Sequence, residues 1–465
     1  MPRNHNFLVI KTSKFIGIII SVILVCVISS LNDSLTTIEW ATVFTPILLL
    51  VLNRYTTGKI FTLYNLFIII LAIFHYGVFW LDLFGIPIDT SNGYDLIARY
   101  PESTIVYTIK YTLLSMTVLN FAAMIIIRKV NGLNISKPEY NSYRIARVIF
   151  YGLLPLILFN DFSRVVLTRT YSYSSAVYMS SFIGRFEICF LIASLFVIAY
   201  RSKDSKYVFI YMLLRCFLLM VLSGSRIGMI LELILLLFLK VSLDKISFRK
   251  TIGLVILAFI ALVFIGYVKQ TRGALSISIW DYIADGGIFS SVLSEFGSTM
   301  ITPLLAVTHD SAVGNLNGLS YLSSILTLMP FSTRVFPFIT EYRAVHDLLN
   351  QYAPAIGTLG GSFFAEQFMN FGFAGIWLSL PFGLLFGFCQ NKVYEENNSF
   401  KNIIYVALFY GILIYSRGNM YDFISNINGI LYFLVFYYLL RNTIFRSSLE
   451  IDSYGRGEVD DEIVN

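Results

Sequence analysis

The sequence predicts an all-α fold: a polytopic membrane helix bundle of about 12 transmembrane helices with a long structured loop on the extracytoplasmic side. Three observations predict it. Charged residues make up only 13% of the chain, roughly half the ~25% of a soluble domain. Hydrophobic residues reach 57%, and mean hydropathy is +0.73. Apolar runs long enough to cross a hydrocarbon core about 30 Å thick recur from end to end.

Runs at 14–31, 36–52, 60–84, 103–127, 145–166, 176–200, 207–222, 226–242, 250–268, 363–390, 401–416 and 424–440 read as helices. The basic start and first apolar run lack a convincing small-residue cleavage site, so they are expected to be a retained helix. Lysine and arginine then fall in every second loop. Arg54 and Lys59, Arg128 and Lys129, Arg201 and Lys203, Lys392 and Lys401, and Arg441 and Arg446 are examples. That alternation is the positive-inside pattern, and it puts both termini in the cytoplasm. The organisation expected is 1–268 for the first nine helices, 269–361 for a large outer loop, 362–441 for the last three helices and 442–465 for a cytoplasmic tail. Trp280, Phe289, Leu304 and Leu326 give the outer loop apolar residues of its own, suited to short amphipathic helices.

The net charge of +6 belongs to the cytoplasmic loops and does not point to nucleic acid. Cys26, Cys189, Cys216 and Cys389 lie in apolar runs and suit packing. No His, Cys, Asp or Glu group has metal-ligand spacing, and no cofactor is expected.

Chemistry-bearing residues concentrate on the outer side. Arg164 and Arg169 follow the fifth apolar run, Arg226 sits in the tight turn Ser223-Gly224-Ser225-Arg226, Arg272 opens the outer loop, Arg334 and Arg343 lie within it, and Arg417 ends an apolar helix. A guanidinium fork can donate two parallel hydrogen bonds to phosphoryl oxygens, which suits these arginines to a diphosphate. Headgroup contacts or surface ion pairs are the alternative. Glu366 follows Gly360-Gly361-Ser362-Phe363, about one turn into a helix. It is placed either as a general base or as a carboxylate favoured by the helix dipole. His346 is a second candidate base, against a reading as an ordinary loop histidine. Arg185, Glu187, Arg215 and Glu232 fall at membrane depth. They are expected to face inward and pair, as a packing network or as an ion path.

On the Ser-Gly-Ser-Arg turn, the Gly-Gly-Ser-Phe segment leading through Glu366 to Phe371-Gly372, and the long outer loop before the last helices, the chain resembles O-antigen polymerases of the Wzy type. These belong to the wider group of O-antigen polymerases and ligases, and the likeness covers most of the chain. The resemblance implies a GT-C-like glycosyltransferase in the bacterial inner membrane, with its active site facing the periplasm. Its substrate would be oligosaccharide repeat units on undecaprenyl diphosphate, and a polysaccharide chain-length regulator would be a partner. Arg226, Arg272, Arg334, Arg343 and Arg417 would hold the diphosphate, with Glu366 or His346 as base. An O-antigen ligase and a flippase of lipid-linked oligosaccharide are the rival readings.

Overall fold

The computed structural model describes residues 3–88, 96–130, 137–170, 181–222, 226–244, 253, 287–313, 315–352, 359–395 and 398–443. Among them every regular element is helical. The helices are α1 (Arg3–Ser30), α2 (Leu35–Thr57), α3 (Leu63–Leu83), α4 (Glu102–Ile126), α5 (Tyr140–Thr170), α6 (Ser181–Tyr200), α7 (Lys203–Leu222) and α8 (Arg226–Asp244). Short helices follow at α9 (Gly287–Gly297), α10 (Ile301–Thr308), α11 (Leu319–Leu326), α12 (Ser332–Val335), α13 (Phe338–Tyr342) and α14 (Val345–Asn350). The chain ends with α15 (Phe363–Phe371), α16 (Ser379–Glu395), α17 (Ser399–Tyr415) and α18 (Met420–Thr443).

Seven segments among the described residues are long and apolar enough to cross a membrane, against the dozen or so expected. They are α2, α3, α4, Tyr140–Val166 of α5, α7, the composite Phe363–Tyr394, and α18. Shorter apolar helices occupy Lys14–Ser30, Phe186–Ala199 and Ser399–Tyr415, where crossings are expected, and Val292–Thr308, where outer loop is expected. The expected crossing at 250–268 lies outside the described residues. The chain is a multi-pass membrane protein. Cys26 faces outward, whereas the other three cysteines are buried.

The chain divides into two compact units. The first comprises Met1–Asn134, Lys240–Glu396 and Leu408–Ser425. Its helices close on one another through small residues, because hydrocarbon supplies no hydrophobic drive between helices and close backbone approach must do so. A side chain at Gly383 or Gly387 would strike the carbonyls of Leu119 and Ala123, so α16 lies directly on α4 at this four-residue spacing. Gly77 of α3 and Gly297 of α9 press together in the same way: a Cβ on Gly297 would sit 3.0 Å from the Gly77 Cα. The segment around 287–308 therefore packs on a spanning helix.

Helix ends in this unit receive side-chain partners where water is excluded. Gln390 Oε1 accepts from the Tyr64 amide at 2.8 Å, at the start of α3. Asn391 donates to the Ile126 carbonyl and accepts from the Arg128 amide, both at 2.9 Å, at the end of α4. Between α2 and α4, Asn53 donates to Asn120 at 2.8 Å.

The second unit comprises Ile135–Leu239, Asn397–Ala407 and Asn426–Asn465. Aromatic stacking joins α5 to α6 through Phe150 and Phe190 (centroids 4.6 Å), and α6 to α18 through Phe196 and Phe433 (5.4 Å). At its centre the Arg215 guanidinium is buried and forks onto Asp161 at 2.7 and 3.0 Å. Glu232 lies 3.4 Å away and Glu187 3.6 Å. Glu187 in turn takes Arg164 at 2.9 Å and Asn160 at 2.8 Å. The inward pairing expected of Glu187, Arg215 and Glu232 is present, while the Arg185 side chain lies outside the described residues. Arg164, expected at the outer face, turns into this network instead, because Glu187 offers it a carboxylate at membrane depth.

Removing Arg215 would strand the carboxylates it pairs, and breaking a buried pair from one side costs about 3–5 kcal/mol. Arg215→Leu is therefore expected to lower the unfolding temperature of the detergent-solubilised protein markedly. A thermal-shift measurement in which R215L melts with the unaltered chain would refute that role.

Candidate active site

One turn gathers most of the sequence-predicted site residues. It runs from the end of α17 to the start of α18, Tyr415 through Asp422, inside the first unit. Ser416, Arg417 and Gly418 continue α17 by amide contacts to Leu413, Ile414 and Tyr415 carbonyls before the chain reverses. The Asn419 amide donates to Asp422 Oδ2 at 2.8 Å, so the aspartate caps the first turn of α18.

Glu366 anchors the turn from outside. It stands in the first turn of α15, whose N-cap is Ser362, and it is entirely buried. Its Oε1 accepts from Ser320 at 2.9 Å. Its Oε2 accepts from Tyr415 at 3.1 Å and from the Met420 amide at 2.7 Å. The carboxylate thus ties three stretches of chain: α11, the end of α17 and the start of α18. Asn370 extends the tie, donating to Ser320 Oγ and to the Glu366 carbonyl, both at 2.7 Å.

His346 of α14 meets the turn through Asn419, whose amide lies 2.6 Å from Nδ1. Its side chain is one-quarter exposed, and Nε2 stands 3.6 Å from Asp347. Arg343 places its guanidinium over the Tyr421 ring at 4.9 Å. Arg417 is half-buried, with Cζ 5.7 Å from the Phe74 ring centroid and Nη1 3.5 Å from the Glu295 carbonyl. Two glycines make room: a Cβ on Gly361 would lie 2.6 Å from the Gly418 carbonyl carbon, and one on Gly360 would lie 3.3 Å from Arg417 Nε. The Gly-Gly pair thus serves close approach, as its sequence suggests.

Glu366, His346, Arg343 and Arg417 therefore share one turn. Arg334 stands apart, exposed on α12 with its guanidinium over Phe331 at 5.7 Å. Arg226 is the first residue of α8, in the second unit, and its side chain lies outside the described residues, as does the whole of Arg272. His75 was not legible as a site residue. It is fully buried in α3, its Nδ1 lies 2.9 Å from the Leu71 carbonyl, and its Nε2 lies 2.9 Å from Ser362 Oγ. A carbonyl can only accept, so Nδ1 carries the proton and the serine hydroxyl donates to Nε2. One histidine in an apolar run gives no sequence signal for this second hold on the start of α15. Two surface grooves, lined respectively by residues such as Trp40 and Phe44 and by Tyr140, Arg144 and Tyr151, include none of these residues.

A buried carboxylate turn with arginines and a histidine on its rim is suited to hold a phosphorylated group and to take a proton beside it. The sequence profile of the family O-antigen polysaccharide polymerase Wzy matches residues 9–447. The chain belongs to that family. Nothing among curated proteins or solved structures matches it. A Wzy polymerase is a membrane glycosyltransferase of polysaccharide synthesis, and in this member one turn brings Glu366, His346, Arg343 and Arg417 together.

Glu366 satisfies three donors from three segments, and each stranded donor costs about 1–3 kcal/mol. Glu366→Ala is expected to lower the unfolding temperature sharply, and Glu366→Gln, which keeps one acceptor, to lower it less. Equal melting of E366A, E366Q and the unaltered chain would remove the carboxylate from this role.

Proposed function

We propose that this polymerase joins oligosaccharide repeat units carried on undecaprenyl diphosphate at the periplasmic face of the inner membrane. The observation that supports it is the meeting of Arg417, Arg343 and His346 on a single turn fixed by Glu366. In the reaction, an acceptor hydroxyl oxygen bonds to the anomeric carbon of the growing glycan. The bond from that carbon to the diphosphate oxygen breaks, and undecaprenyl diphosphate leaves with the electron pair. Arg417 and Arg343 stabilise the charge that develops on the departing diphosphate, as preorganised donors do at such sites. Arg226 and Arg272 are assigned to diphosphate on their sequence positions.

His346 takes the acceptor proton. A neutral imidazole can do so from Nε2 only if Nδ1 carries its own hydrogen. The Asn419 carboxamide then presents Oδ1 to Nδ1, which also engages an oxygen otherwise buried without a partner among the described residues. Glu366, completely buried and triply bonded, serves the turn that carries these groups and is not itself the base.

Purified protein supplied with only lipid-linked repeat units is expected to lengthen them. Growth that begins only when lipid A–core is added would show a ligase, and lipid translocation without growth a flippase. In the same assay Arg417→Ala is expected to cut turnover by about 10²–10³-fold. His346→Ala should cut it by about 10²–10⁴-fold with substrate binding retained. Normal glycan ladders from either variant would remove that residue from the site.

A further inference from the structure

α11 has its polarity inside out. Its sequence is Leu-Ser-Tyr-Leu-Ser-Ser-Ile-Leu, and Ser320, Ser323 and Ser324, all on one helical face, are 0% exposed. Leu322 and Ile325 on the opposite face are 49% and 46% exposed, and Leu319 beside them is also exposed. The outward apolar run continues through Met329, Phe331 (71%) and Val335. In water this arrangement loses twice. Each large apolar side chain left outside forgoes about 1.5–3 kcal/mol of burial. Each hydroxyl turned inward without a partner costs about 1–3 kcal/mol, and the Ser323 and Ser324 hydroxyls have none among the described residues. In hydrocarbon neither loss remains, since lipid tails are as apolar as leucine and a hydroxyl turned outward would find no water.

The position of α11 agrees. The turn leading into it is bonded to α15, with the Leu316 amide on the Met369 carbonyl at 2.9 Å and the Asn317 amide on the Asn370 carbonyl at 3.0 Å. These carbonyls come free because Gly372, at φ +56°, ends the helix there. Both lie in the segment Phe363–Tyr394, which is long and apolar enough to cross a membrane, so α11 begins beside a candidate crossing. Phe373 and Trp377 continue the outward apolar surface just beyond that break. Arg334, exposed on the same stretch, is placed as a long cation at an interfacial apolar face usually is, able to reach phosphate headgroups.

We propose that residues 319–335 form a re-entrant, lipid-facing segment, its apolar side covered by the acyl chains of the bilayer and its serine side closing over Glu366. This surface is independent of the assignment of Arg417 and His346.

Nitroxide labels on single cysteines at Leu322, Ile325 and Phe331, one at a time, test it. The full chain carries Cys26, Cys189, Cys216 and Cys389 changed to serine, and is reconstituted into vesicles of phosphatidylethanolamine and phosphatidylglycerol. Collisions with oxygen should exceed those with a water-soluble nickel chelate at all three positions, and the order should reverse at the exposed Glu341. Greater access to nickel at Leu322 and Ile325 would overturn the proposal in favour of water. Exclusion of both reagents would overturn it in favour of a protein partner. If the cysteine-free chain does not fold, Leu322→Trp in the native-cysteine chain gives the second readout. Phospholipid brominated along its chains should then remove fluorescence beyond the loss shown by the unaltered chain, and an equal loss would refute the segment's contact with lipid.

Discussion

A carboxylate sealed from solvent organises the turn between α17 and α18. Glu366 holds Ser320, Tyr415 and the Met420 amide at once, and these belong to three separate stretches of chain. It bonds the turn 415–422 to the start of α15 and to α11. The positions of Arg417, Asn419 and Tyr421, and through the latter two those of His346 and Arg343, follow from where that turn is held. A charge without solvent is costly, so its donors cannot be given up singly, and the geometry is correspondingly stiff.

The same solvent logic governs the rest of the described structure. With hydrocarbon outside, polar side chains are drawn inward and small residues set the helix contacts. Asn53 pairs with Asn120, and Arg215 collects Asp161, Glu187 and Glu232. Phe44, Phe162 and Leu214, by contrast, are turned outward on α2, α5 and α7. α11 carries the rule to a segment that hydropathy along the chain does not single out.

Much of this was legible from composition and period. Eleven of the apolar runs coincide with helices, and the inward turn of Arg215 and Glu232 follows from the cost of charge at depth. Other features were not. Hydropathy read along the sequence does not by itself separate a full crossing from a shorter apolar helix; among the described residues seven segments are long and apolar enough to cross. Nor does hydropathy show that the helix Val292–Thr308 rests on α3, because the Gly77–Gly297 contact that sets it there spans more than two hundred residues. The arginines were legible as a set suited to phosphate, but only packing separates Arg343 and Arg417 on the shared turn from Arg334 on α12 and Arg164 in an ion network. Glu366 was legible as important. Its three donors, each remote in sequence, were not.

Gln390 and Asn391 have a consequence for how this chain can vary. They reach the ends of α3 and α4 from α16, which is also locked to α4 through Gly383 and Gly387. One residue inserted or deleted between Gly372 and Gly383 would rotate all four positions by about 100° relative to whatever precedes them. Both glycine contacts and both amide staples would be lost together. The spacing along α16 is therefore a ruler, tolerant of exchange among lipid-facing side chains but intolerant of any change in count.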